Sequence, residues 1–125
     1  MAGAARGLTI QLKRAAVAPA KGDGARILVE RLWPRGKSKA ALRLDAWLRD
    51  AAPSTELRKW FHEHPGKWDE FRKRYYAELD AHPEALAPLP ALLESGPVTF
   101  VYARADDERN SAVALREYVL RRVRR

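Results

Sequence analysis

An α/β domain with a small, mainly parallel sheet of three or four strands and about five flanking helices is the fold class this sequence predicts. Three observations lead there. Residues 27–32 (Ile-Leu-Val-Glu-Arg-Leu) and 98–102 (Val-Thr-Phe-Val-Tyr) are short apolar runs rich in branched side chains, as in strands buried on both faces. Between them lie stretches with apolar residues at helical spacing, the alternation that builds parallel sheets. Each run then breaks into a charged cluster, and in such sheets ligands bind beyond the carboxyl ends of the strands.

Residues 9–13 (Thr-Ile-Gln-Leu-Lys) alternate strictly, which predicts a half-buried first strand. Pro19, Gly22, Asp23 and Gly24 make 15–25 a loop, short for a parallel crossover, so spacing leaves the relative direction of the first two strands open. The second strand ends at Trp33-Pro34-Arg35-Gly36. Proline holds the residue before it extended, and Gly36 permits a turn before the basic loop 37–39. Leu44, Trp47, Leu48 and Ala51 fall at i, i+3, i+4 and i+7, predicting a helix over 44–51.

Pro53-Ser54-Thr55 stops that helix and caps the next, 56–62, with Leu57, Trp60 and Phe61 on one face. Pro65-Gly66 separates it from a helix over 67–80 carrying the stripe Trp68, Phe71, Tyr75 and Leu79, with Tyr76 off that line. Pro83 suits a first turn, but Pro88 and Pro90 each cost about 3 kcal/mol inside a helix, so the fourth helix must split or start late, near Pro90. Gly96-Pro97 ends it. After 98–102, Asn110 or Ser111 caps a last helix running to about 123, with Ala112, Leu115, Tyr118, Val119 and Val123 inward. Residues 8–123 read as one domain, 1–7 as a flexible terminus and 124–125 as a basic tail.

The 125-residue chain can bury a core unaided, and it has no cysteine, which excludes disulfides, thiolate nucleophiles and zinc–thiolate centres. No apolar run reaches the roughly 20 residues of a membrane span, and 1–6 have no signal-peptide core, so the cytoplasm is the expected location. The net charge of +8 favours anionic partners: nucleotides, nucleic acid, acidic proteins or acidic lipid. Four of the last five residues are arginines, however, and a frayed tail raises charge without building a site.

Arg31 and Arg35 can fork onto a phosphate or carboxylate; alternatively Glu30 or the acids of 106–108 neutralise them internally. Trp33 can wall a planar ligand, or simply pack. Asp106, Asp107 and Glu108 can serve as general acid or base or as hard-metal ligands, or instead stabilise a helix N-terminus; Asp106, nearest the strand end of the three, is the candidate catalytic residue. His62, His64 and His82 lack the convergence a zinc site needs, so no metal is expected. No glycine-rich dinucleotide or P-loop motif is present, and no cofactor is expected.

Glu-Arg-Leu-Trp-Pro-Arg-Gly (30–36), Ala-Pro-Ser-Thr-Glu-Leu-Arg-Lys-Trp-Phe (52–61), Trp-x-x-Phe-x-x-x-Tyr (68–75), and Asn110 before Ala-Val-x-Leu-Arg-Glu-Tyr (112–118) resemble the DUF488 family, in its YeaO-like branch. The likeness runs from Ile10 to Tyr118 and implies a single Rossmann-like α/β domain, without bringing an activity. Similar proteins carry a basic residue directly before the first acid of 106–108, where this chain has Ala105, and often a histidine before the asparagine, where it has Arg109. A proton-shuttling role for that histidine does not transfer.

The expected function is binding of an anionic, phosphate-bearing ligand at the strand ends, possible hydrolase or transferase chemistry included. Arg31 and Arg35 hold the anion, Trp33 forms a wall, and Arg104, Asp106 and Asn110 complete the pocket. The competing expectation is a non-enzymatic basic protein that binds nucleic acid or an acidic protein partner. The first holds only if the exits of the two apolar strands are neighbours.

Overall fold

The computed structural model describes residues 9–104, 106 and 108–123. The expected flexible N-terminus, the basic tail 124–125, Ala105 and Asp107 lie outside the described residues.

Four strands form one wholly parallel sheet: β1 (Ile10–Arg14), β2 (Ala25–Leu28), β3 (Ala46–Trp47) and β4 (Val98–Tyr102), in the order β1-β4-β2-β3. Among the described residues, five α-helices accompany it: α1 (Lys39–Leu42), α2 (Thr55–Glu63), α3 (Trp68–Ala81), α4 (Leu89–Ser95) and α5 (Ser111–Val123). The first two strands are thus parallel but not neighbours, because β4 inserts between them. The short 15–24 connection suffices because β2 is four residues long, and ten residues can span roughly 33 Å when extended.

Alternation along the strands divides the interior. Ile10, Ile27, Val29, Val98, Phe100 and Tyr102 face the main core, which is completed by Phe61, Phe71, Tyr75, Leu79, Leu89, Leu115 and Val119 from α2–α5. The other face carries a smaller cluster, Ala15, Leu28, Leu42 and Val101, flanked by Trp33, Leu44 and Trp47. At the amino ends of the strands this second face becomes polar. Buried Arg26 donates to Asp23 (2.7 Å) and to the Leu42 carbonyl (2.8 Å), and Lys13 also reaches Asp23 (2.6 Å).

This division explains the largest error in the predicted elements. No helix spans 44–51; β3 and a 3₁₀ turn (Arg49–Ala51) stand there. The apolar spacing is real, but Leu44 and Trp47 serve the small cluster while Leu48 and Ala51 serve the main core. One helical stripe cannot point to both sides of a sheet. The basic loop after Gly36 contains a helical turn, α1, capped by Ser38, whose Oγ accepts from Ala41 N at 3.0 Å. Strand β2 also stops at Leu28 rather than at 32, although Val29 N still donates to Val101 O.

The other boundaries follow local chemistry. Ser54 Oγ accepts from Leu57 N and starts α2; Asn110 Oδ1 accepts from Val113 N and starts α5. The proline-rich stretch splits as expected into a 3₁₀ turn (Pro83–Leu86) and the late α4. Gly36, with φ 76°, sits in a turn closed by Lys37 N on Pro34 O. No described helix is long and apolar enough to cross a membrane.

Candidate functional site

Because β2 and β4 are parallel neighbours, their exits meet. Past the last paired residues, Ala103 N donates to Glu30 Oε2 at 2.8 Å, so a carboxylate on one exit holds the backbone of the other. A cleft of about 700 Å³ opens beside this junction. Glu30 and Arg31 come to it from β2, Ala103 and Arg104 from β4, and Ser111 from the start of α5. Ala52 and Pro53 form one wall; α2 supplies Arg58, Lys59, His62 and Glu63 at the rim; Phe61 and Phe71 lie beneath.

The wall is braced from three directions. Arg31 donates through Nε to Pro53 O and through Nη2 to Ala52 O, both at 3.1 Å. The buried Tyr75 hydroxyl donates to Ala51 O. Glu78 accepts from Ser54 N (2.9 Å) and Ser54 Oγ (2.5 Å). Arg31 therefore reaches the cleft, but its fork grips the chain before α2, with Asp50 a further 3.9 Å contact. The arrangement makes Arg31 a strut more than a clamp.

Glu30 is the electrostatic centre. Burial pushes its carboxyl above the ordinary glutamate range, opposed by the Ala103 and Arg104 backbone N–H groups and by the charges of Arg58 and Arg104. Arg104 lies over the Phe61 ring, its guanidinium carbon 4.8 Å from the ring centre, which fixes the cation at the edge of the apolar floor.

The other predicted residues sit elsewhere. Trp33 is packed on the opposite face of the sheet, edge-on to Trp47 at 5.4 Å, with Nε1 donating to Lys37 O. Arg35 is exposed in the turn with Gly36 and does not line the cleft. Asp106 accepts from the backbone N–H of Glu108 and Arg109, with Arg109 Nε 3.4 Å away. Those N–H donors, and then the arginine charge, hold its carboxyl below the usual range, the state of a weak base. Asn110 is buried, its amide donating to Asp106 O while it caps α5. Only Arg31 and Arg104 of the predicted set therefore line the cleft. No group of three side chains able to hold a metal exists among the described residues.

Sequence reasoning passed over Arg58 as a site residue, weighed His62 only as a metal ligand and treated Glu30 only as a neutralising charge. A signal existed for each. Glu30 is an acid at the very end of a buried apolar run. Arg58 and His62 are i, i+4 neighbours beside the buried pair Leu57 and Phe61, hence on the rim of whatever that pair covers.

Fold and cleft together define a small parallel α/β domain with a mixed-charge pocket at the carboxyl ends of its central strands. A family profile described as "Inactive DUF488-N3 subclade" matches residues 9–125, and the chain belongs to this branch of the DUF488 proteins. It is 39% identical over 112 residues to the uncharacterized protein YeaO of Escherichia coli K12, covering 90% of this chain and 97% of the relative. It is 44% identical over 93 residues to the uncharacterized proteins Rv3073c of Mycobacterium tuberculosis and Mb3100c of Mycobacterium bovis, covering 74% of this chain and 78% of each relative. No solved structure matches the chain.

Proposed function

We propose that this domain is a non-catalytic binding module that takes an anionic small molecule in the cleft, with Arg58 and Arg104 holding the anion. The observation that carries the reading is the placement of those two guanidinium groups, from α2 and from the β4 exit, around one partly desolvated pocket. Desolvation strengthens a charge-assisted hydrogen bond relative to the same contact in water. Arg31, occupied with two carbonyls, contributes field rather than a fork.

The absence of chemistry in this reading rests on two points. The subclade is described as inactive. Asp106, the acid of 106–108 expected to be catalytic, is held ionised outside the cleft, and an arginine, Arg109, rather than a histidine precedes Asn110. The test is titration of the chain with inorganic pyrophosphate and nucleoside monophosphates, followed by amide chemical shifts. Binding is expected to perturb Ala103, Ser111 and the α2 amides. An R58A/R104A double variant that retains the wild-type fold should lose at least about tenfold in affinity, one charged hydrogen bond being worth about 1.5–3 kcal/mol. Unchanged affinity in that variant, or no binding by wild type, overturns the proposal.

A further inference from the structure

Glu30 does not belong in a site for a bare anion. An ionised carboxylate close enough to feel both guanidinium groups weakens the field they present, and its burial is unfavourable without donors to satisfy it. The backbone N–H groups of Ala103 and Arg104 meet part of its capacity. A carboxylate has about four lone-pair positions, so acceptor capacity remains on the side where Glu30 lines the cleft. A complementary ligand brings an anionic group for Arg58 and Arg104, and N–H donors for Glu30.

The rest of the lining narrows the choice. Ala52, Pro53, Phe61 and Phe71 give the cleft an apolar floor and wall, which a phosphate or a free amino acid leaves unused. Its volume of about 700 Å³ falls in the roughly 300–1,000 Å³ of sites for larger small molecules. A flat heterocycle carrying a phosphate fits both requirements. Among the common bases, guanine presents two adjacent N–H donors, N1–H and the 2-amino group, on one edge. Adenine offers a donor beside an acceptor, and uracil a single donor between two acceptors. A carboxylate, acceptor-only when ionised, pairs with the first and repels the lone pairs of the others.

From this juxtaposition we propose that the cleft binds a guanine nucleotide, its N–H edge on Glu30 and its phosphate against Arg58 and Arg104. The inference rests on the anion reading above and adds the base. Binding also requires Glu30 ionised, so affinity for the guanine form rises as pH is raised through the elevated titration of that carboxyl, while affinity for pyrophosphate does not.

The deciding experiment is calorimetric titration of the full chain with GMP, IMP, AMP and pyrophosphate, for wild type and E30Q. GMP is expected to bind at least about tenfold tighter than AMP, with IMP, which lacks the 2-amino group, between them. E30Q, checked for a native circular dichroism spectrum, should bind GMP no better than AMP while binding pyrophosphate at least as tightly as wild type, since the opposing carboxylate charge is gone. The graded GMP–IMP–AMP series in wild type needs no variant and stands even if E30Q misfolds. Equal affinity for the three nucleotides, all lost in R58A/R104A, overturns the guanine assignment and leaves the anion site standing. Binding of pyrophosphate without any nucleotide does the same. Failure of every probe removes both readings.

Discussion

Replacing Arg31 with alanine tests whether this arginine is a strut or a ligand clamp. Its guanidinium makes two hydrogen bonds, to Pro53 O and Ala52 O, each at 3.1 Å. A bond from a charged donor contributes about 1.5–3 kcal/mol, and loss of the donor strands the acceptors where they are buried. Ala52 is 6% exposed, so its carbonyl is poorly placed to recover a partner from water. The arginine side chain itself is 29% exposed, and solvent screening reduces the gain. The sum is about 2 kcal/mol, close to an 8 °C fall in melting temperature for a chain of this size. Arg35→Ala, in an exposed turn, should stay within about 0.5 kcal/mol of wild type. Thermal and urea unfolding followed by circular dichroism read both. Arg31→Lys should recover only part of the loss, because an ammonium cannot bridge two carbonyls as a planar fork does. If R31A and R35A melt together near wild type, the wall of the cleft is not held as described.

Two further outcomes come from the opposite end of the sheet and from titration. Gly24 has φ 64°, and a Cβ there would stand 2.1 Å from Pro97 O, the atom that accepts from Ala25 N at the start of β2; Gly24→Ala should therefore destabilise by more than about 2 kcal/mol, whereas Gly22→Ala, with open space around it, should be near neutral in the same urea titrations. Glu30 and Asp23 should give pH dependences of opposite sign. Burial raises Glu30, so its contribution is present below about pH 4.5 and fades as pH rises through its folded value. For Asp23, burial acts upward but is outweighed by the Lys13, Ala20 and Arg26 donors, so its contribution is present above the ordinary value near 3.8 and fades as pH falls. Glu30→Gln should flatten the first limb of stability against pH and Asp23→Asn the second; a variant profile parallel to wild type refutes the assignment for that residue.

The elements that sequence reasoning recovered are those whose signal is local. Val98–Tyr102 is bounded by Gly96-Pro97 and a charged cluster, Asn110 caps α5, and the prolines at 88 and 90 leave α4 a late start. Among the elements it missed, β3 spans two residues, and the stretch around it draws its apolar pattern from two cores at once. Periodicity assumes a single buried side, so it reported a helix.

The site divides along the same line. Residue types near the strand exits already indicated that charge would collect there, since the acids, arginines and aromatics follow the apolar runs directly along the chain. Which of them share a cleft depended on the sheet order. With β4 lodged between β1 and β2, the β2 and β4 exits touch, Glu30 reaches Ala103, and α2 swings Arg58 and His62 over the junction. Trp33 meanwhile packs on the far face, and Arg35 stays exposed in the turn. Local chemistry decides what a segment becomes because its partners lie within a few residues. Neighbours across a sheet come from strands some seventy residues apart, and only the packing of the whole core chooses them.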